Sequence, residues 1–196
     1  MKIVFATGNP HKLQEVNDIA KGSGVEFILP PKGFDPIEDG TTFEENSYIK
    51  AKDAARLSGM LALADDSGLC AEALDGAPGI YSARYADTPQ ARIDKLLNAM
   101  SDKENRKAKF VCAMTIANPD GEIVFQTRGE CHGEIAKKQS GTNGFGYDPV
   151  FIPNLSPHER GQKITIAELS EEEKNKISHR GKALRNVLEF LKNQDL

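Results

Sequence analysis

Two carboxylates stand side by side in LALADDSGL, residues 61–69, where an apolar run meets Asp65 and Asp66. Adjacent acids at the C-terminal end of a strand project in different directions. One can then ligate a cation while the other orients or deprotonates water. Glu38, in PIEDG, offers a further carboxylate. A hard ion such as Mg²⁺ takes oxygen ligands and keeps several waters, so one or two protein carboxylates plus substrate phosphates complete its shell. Ser67 and Gly68 add a hydroxyl and room for close backbone approach, both suited to a phosphate. Asp, Ser and Gly also favour turns, and a solvated turn is the plainer reading of the same four residues.

Three other stretches carry chemical potential. In TGNPHK, residues 7–12, Gly8 permits a tight turn and Asn9 can cap a helix that Pro10 opens. The N–H groups of such a helix face an anion, and Lys12 can add a full positive charge. The pattern is not a P-loop, because G-x-x-x-x-G-K-[ST] is absent. In GTNGFGYDP, residues 141–149, glycines flank Phe145 and Tyr147, either of which offers a face for stacking, while Asp148 can accept a hydrogen bond. In EEEKNKISHRGKAL, residues 171–184, Lys174, His179 and Arg180 fall near the junction of two helices, and Arg suits planar, multi-acceptor ligands. Simple capping, an aromatic packed beneath its loop and a solvated charged face are the structural alternatives. GAPGIYSARYA (76–86) reads as architecture, Cys131–His132 lacks ligand spacing, and His11 and His158 have no evident partners.

The elements that must position these residues follow from periodicity. KIVFA (2–6) and MLALA (60–64) read as buried strands. Leu13, Val16, Ile19 and Ala20 recur at helical spacing until Gly22 or Gly24. Thr41 and Thr42 each precede a Glu by three residues, so either register gives a capping box for a helix with Phe43, Asn46 and Lys50 on one face. Thr88 and Pro89 open a helix burying Ile93, Leu96, Leu97 and Met100. AKFVCAMTIA, the turn NPDG and EIVFQTRGECHGEI predict a long antiparallel hairpin. Ser170 with Glu173 caps one helix, and Leu184, Val187, Leu188 and Leu191 stripe another. Helices and strands alternate at the ends around a β-rich middle. The expectation is one α/β domain over residues 1–196, with a mixed twisted sheet, flanking helices, an elongated two-lobed shape and a central cleft.

Bulk composition narrows the function classes. A 196-residue chain with 39% hydrophobic and 28% charged residues and a net charge of −4 is a globular protein without the basic excess of a nucleic-acid binder. No apolar run approaches a membrane span, and the N-terminal one is too short for a signal peptide. Three cysteines without C-x-x-C spacing argue against a disulfide framework and suit the cytoplasm.

Taken together, ATGNPHKLQEV, TTFEENSYIKA, ADDSGL, GAPGIYSARYA, GTNGFGYDPVF and EEKNKISHRGKAL occur in order over nearly the whole chain and resemble the inosine triphosphate pyrophosphatase family. The resemblance implies Mg²⁺-dependent hydrolysis of ITP, dITP and XTP to the monophosphate and pyrophosphate by a homodimer. It implies that Thr7, Gly8, Asn9 and Lys12 hold the triphosphate, and that Glu38 and Asp66 bind the metal. Asp66, or its neighbour Asp65, would accept the proton from water attacking the α-phosphorus, supported by Ser67 and Lys50. Phe145, Gly146, Tyr147 and Asp148 would embrace the base, with Lys174, His179 and Arg180 completing the pocket. Pyrophosphohydrolysis of other modified nucleotides and a non-catalytic nucleotide sensor are the competing readings; intact carboxylates speak against the sensor. The chain departs from the family at Asn143, often Gly there, and in GQKITIAELS, which has one residue more than the usual G-K-T-x-A-E-L around Lys163.

Overall fold

The computed structural model describes residues 1–154 and 163–194. Strands β1 (Lys2–Phe5), β2 (Glu26–Ile28), β3 (Ala62–Ala71), β4 (Lys107–Ala117), β5 (Ile123–Ile135) and β6 (Phe151–Pro153) form one sheet in the order β2-β1-β3-β4-β5-β6. The sheet is mixed, as the alternating pattern predicts. β1 runs parallel to β2 and β3, with Val4 opposite both Ile28 and Ala62, whereas β5 and β6 are antiparallel. The helices are α1 (Pro10–Ala20), α2 (Phe43–Ser58), α3 (Pro89–Ala99), α4 (Glu171–Ile177) and α5 (His179–Lys192).

The chain packs as two compact units, each with its own core. The first comprises Met1–Asp66, Cys112–Gly129 and Arg180–Leu196; the second comprises Ser67–Val111 and Glu130–His179. In the first, Ile3, Phe5, Leu63 and Met114 of the strands pack against Val16 of α1 and Leu184, Val187 and Leu191 of α5. The other side of β1 meets the small face of α2, where Ala51, Ala54 and Ala55 let helix and strand approach closely. In the second, Ile93 and Leu96 of α3 pack with Leu69, Phe110, Ile135 and Phe151. All these side chains come from positions whose spacing selects one face of a helix or strand.

The helix starts follow their sequence signals. Asn9 accepts from the His11 N–H at 2.9 Å with Pro10 next, and Ser170 and Glu173 exchange reciprocal bonds at the start of α4. The structure resolves the Thr41/Thr42 ambiguity. Thr42 is the N-cap and accepts from Glu45 N–H, while the Glu45 carboxylate reaches back to Thr41 at 2.6 Å. The hairpin turns at Asn118–Gly121, closed by Gly121 N–H to the Asn118 carbonyl at 2.9 Å.

The largest departure from the sequence reading is at the acidic pair. β3 does not end before Asp65 and Asp66; it carries both in its middle and runs on to Ala71. Because strand residues alternate faces, the two carboxylates sit on opposite sides of a strand flanked by β1 and β4. The solvated-turn reading is thereby excluded: Asp65 is 1% and Asp66 8% exposed. The three-residue β2 is too short to leave a sequence pattern.

Candidate active site

Burying Asp65 inside a strand is tolerable only if positive charge surrounds it. Lys12, one turn into α1, places Nζ 3.1 Å from both Asp65 oxygens. Arg180, in the first turn of α5 and 2% exposed, donates from Nε and Nη2 to Asp65 Oδ2 at 3.2 and 3.0 Å. Its Nη1 donates to Glu15 at 2.6 Å. Burial alone would raise the Asp65 carboxyl, but Lys12, Arg180 and Lys50 together hold it far below the usual carboxylate range.

Asp66 lives in a different field. Lys50, from α2, lies 3.2 Å from its Oδ1 and 2.9 Å from Glu38, so one ammonium joins the two carboxylates. Burial pushes the Asp66 carboxyl above its ordinary value, and the Asp65 and Glu38 charges add to the rise against the pull of Lys50. Burial likewise opposes the charge on Lys50, yet Asp66, Asp65 and Glu38 outweigh it and hold the amine protonated.

Asn46 is a site residue that the sequence reading did not single out. Buried one turn before Lys50, it accepts from Gly40 N–H through Oδ1 at 2.9 Å, and Nδ2 points to Asp66 Oδ2 at 3.4 Å. It thus joins the Glu38 loop to Asp66. A Cβ at position 40 would lie 2.6 Å from Asn46 Oδ1, so only glycine admits this contact. The available sequence signal is the four-residue spacing of Asn46 and Lys50 on one helix face.

The strand-to-helix junction is rigid. Thr7 Oγ1 accepts from Asn9 N–H at 3.0 Å, and the Asn9 side-chain oxygen caps α1. Gly8 does not adopt a left-handed conformation, and a Cβ there would meet nothing within 4 Å. The expected tight turn is therefore not what glycine serves at this position. A cavity of about 290 Å³ opens here, lined by Thr7, Gly8, Lys12, Glu38, Lys50 and Asp65 among others. Asp66 does not line this space, but Lys50, which does, binds it at 3.2 Å. Four carboxylates (Glu15, Glu38, Asp65, Asp66) face three cations (Lys12, Lys50, Arg180), so the cluster is acidic as it stands. Glu38 and Asp66 offer oxygen donors on either side of the Lys50 ammonium they share. Among the described residues no group of three His, Cys, Asp or Glu side chains is arranged to hold a metal ion by itself.

The second unit holds the aromatic stretch. Phe145 is 36% exposed at the tip of its loop, and Lys174 places Nζ 4.5 Å from the ring centroid. Asp148 Oδ2 accepts from both Lys174 Nζ and Phe145 N–H at 2.9 Å. Gly144, at φ +73°, is required here, because a Cβ would collide with Asp148. Gly146 borders Phe145 with open space around it. Ser67 follows Asp66 on β3 and is half-buried.

Three expectations change. Tyr147 is not a ligand face: its ring is in the core, its hydroxyl donates to the Ser82 carbonyl at 2.8 Å, and burial pushes the phenol up to about 12. His179 is buried and stacks on Phe110 at 4.8 Å. Arg180, expected against the base, is engaged with Asp65 and Glu15 instead. Lys163 pairs with Glu134 at 2.6 Å on the surface. His158, and Gly161–Gln162 of the lengthened segment, lie outside the described residues.

A six-stranded mixed sheet with flanking helices, whose strand β3 buries two carboxylates, defines an α/β protein. Within that class, this chain belongs to the Ham1 family, whose profile matches residues 3–190. It is 46% identical over 186 residues to a dITP/XTP pyrophosphatase of Synechocystis sp., covering 95% of this chain and 93% of that one. A dITP/XTP pyrophosphatase of Aquifex aeolicus is 43% identical over 205 residues, covering 98% of both. The structure of a HAM1 protein from Coxiella burnetii superposes with a TM-score of 0.86 at 40% identity, over 99% of this chain and 100% of that one.

Proposed function

We propose that the protein is a nucleoside triphosphate pyrophosphatase that cleaves non-standard purine triphosphates such as dITP, XTP and ITP to the monophosphate and pyrophosphate. The observation that carries this reading is the arrangement of cations around two adjacent buried carboxylates: Lys12 and Arg180 on Asp65, and Lys50 joining Asp66 to Glu38. Asp65 is locked ionised by Lys12 and Arg180, whereas Asp66 is pushed toward protonation beside Lys50. Titratable neighbours driven apart in this way mark acid–base assignments. Asp66, whose carboxyl burial holds above its ordinary value while Lys12 and Arg180 hold that of Asp65 below, is the better placed of the two to take the proton. The names of the relatives supply the substrate class.

In this mechanism Thr7, Gly8, Asn9, Lys12 and the start of α1 hold the phosphates by charge and by backbone N–H groups. Glu38 and Asp66 would hold a divalent cation, for which Mg²⁺ suits the oxygen-only donors, and it would supply charge neutralisation on the phosphates. The acidic excess of the cluster is the physical reason a triphosphate needs that cation. Water attacks the α-phosphorus, its proton passes to Asp66, and the bond from the α-phosphorus to the bridging oxygen breaks, releasing pyrophosphate. Lys50 keeps Asp66 and Glu38 oriented. Phe145 stacks on the base, with Gly146, Asp148 and Lys174 shaping its surroundings.

The three cysteines are free thiols, which suits a cytoplasmic enzyme, and no helix among the described residues is long and apolar enough to cross a membrane. We expect a homodimer, which sedimentation tests directly. The decisive assay incubates the protein and Mg²⁺ with ITP, dITP, XTP, GTP and ATP and identifies the products. Monophosphate and pyrophosphate should form much faster from the first three than from ATP. Diphosphate and phosphate, or equal rates with ATP, would refute the proposal.

A further inference from the structure

The loop carrying Phe145 is tied down at a position that the proposed reaction does not use. Its neck closes where Ser140 N–H donates to the Pro149 carbonyl at 2.9 Å. Behind it, Thr142 N–H and Asn143 N–H both donate to the Ala167 carbonyl, at 3.1 and 2.9 Å, and Thr165 Oγ1 donates to the Ser140 carbonyl at 2.7 Å. One further tie comes from a side chain of the loop itself: Asn143 Nδ2 donates to the Leu169 carbonyl at 2.9 Å. Leu169 directly precedes Ser170, the N-cap of α4, and α4 carries the Lys174 that holds Asp148.

The loop is therefore fastened to the start of α4 on one side of Phe145 and to the body of α4 on the other. We propose that Asn143 is a positioning residue whose side-chain amide fixes Phe145 over Lys174 before any ligand arrives. The inference rests on the reading of Phe145 as the base platform. A glycine at 143 would keep both backbone bonds to residue 167 but would have no amide to reach Leu169. The Asn143 side chain thereby preorganises the loop, which lowers the ordering cost of binding.

The test uses Asn143→Gly and Asn143→Ala in the full-length protein, both at an exposed position that leaves the core intact. Loss of one neutral hydrogen bond predicts a rise in KM for ITP of about five-fold, with a smaller change in kcat. Inhibition by tripolyphosphate, which has phosphates but no base, should be unaffected. Amide exchange at residues 144–148 in the ligand-free protein should accelerate by about the same factor. Unchanged exchange together with unchanged KM would overturn the proposal, and so would an equal weakening of ITP and tripolyphosphate. If the parent protein cleaves no purine triphosphate, the functional reading fails by itself, and the exchange measurement still decides whether Asn143 holds the loop.

Discussion

Each unit of this protein sets a lysine against a buried aspartate, and the two pairs are put to different ends. In the first unit Lys12 meets Asp65 at 3.1 Å, and in the second Lys174 meets Asp148 at 2.9 Å. Asp65 also receives Arg180, so its charge is over-compensated and its carboxylate is an anchor on which cations are arranged. Asp148 instead accepts a backbone N–H, from Phe145, so its pair shapes a loop and places an ammonium beneath a ring. The same ion pair builds an electrostatic site in one case and an aromatic platform in the other. What decides is the third partner: a guanidinium or a peptide group.

Breaking the first arrangement should have the larger consequences. Asp66→Asn removes the proton acceptor but keeps the shape; turnover should fall on the order of 10³-fold in a steady-state assay, with triphosphate still bound.

Arg180→Met leaves Asp65 and Glu15 buried without their shared cation. Denaturant unfolding should show a loss of about 4 kcal/mol, the usual effect of stripping one partner from a buried network. The pH dependence has a definite sign. Asp65 has a depressed carboxyl in the folded state, so its stabilising contribution is complete above 3.8, the ordinary value, and is lost as pH falls from there toward the folded-state value. Arg180→Met should flatten that acid slope.

Perturbing the second arrangement is milder. Phe145→Ala removes the platform and should raise KM for ITP by about ten-fold, the equivalent of one base stacked on an aromatic ring. Tripolyphosphate inhibition should be unchanged, which separates the two regions in a single variant.

These regions also differ in how much of them the sequence discloses. Helix caps at Asn9, Thr42 and Ser170, the hairpin around Asn118–Gly121 and the stripe of α5 are local signals, and each stands where its residues imply. Glu38, Lys12, Lys50 and Asp65 line one cavity and Lys50 binds Asp66; the motifs name these residues, and the roles the resemblance implies for them are proposals. The continuation of β3 through Asp65 and Asp66 was not legible. The charges that make it possible come from Lys12, 53 residues before Asp65, and Arg180, 115 residues after. Local propensity treats two acids as a turn; only distant cations turn them into buried strand. Arg180 and Tyr147 were misplaced for a related reason, since a motif gives residue type and neighbourhood but not the direction of a side chain. Periodicity places Asn46 on the face of α2 that carries Lys50, but not its bonds to Gly40 and Asp66, which depend on tertiary contacts.

The central claim is that water attacks the α-phosphorus, and isotope labelling tests it most directly. Hydrolysis of ITP in ¹⁸O-water, followed by mass spectrometry of the products, should place the label in inosine monophosphate and leave pyrophosphate unlabelled. Label in pyrophosphate, or release of labelled inorganic phosphate, would contradict the account.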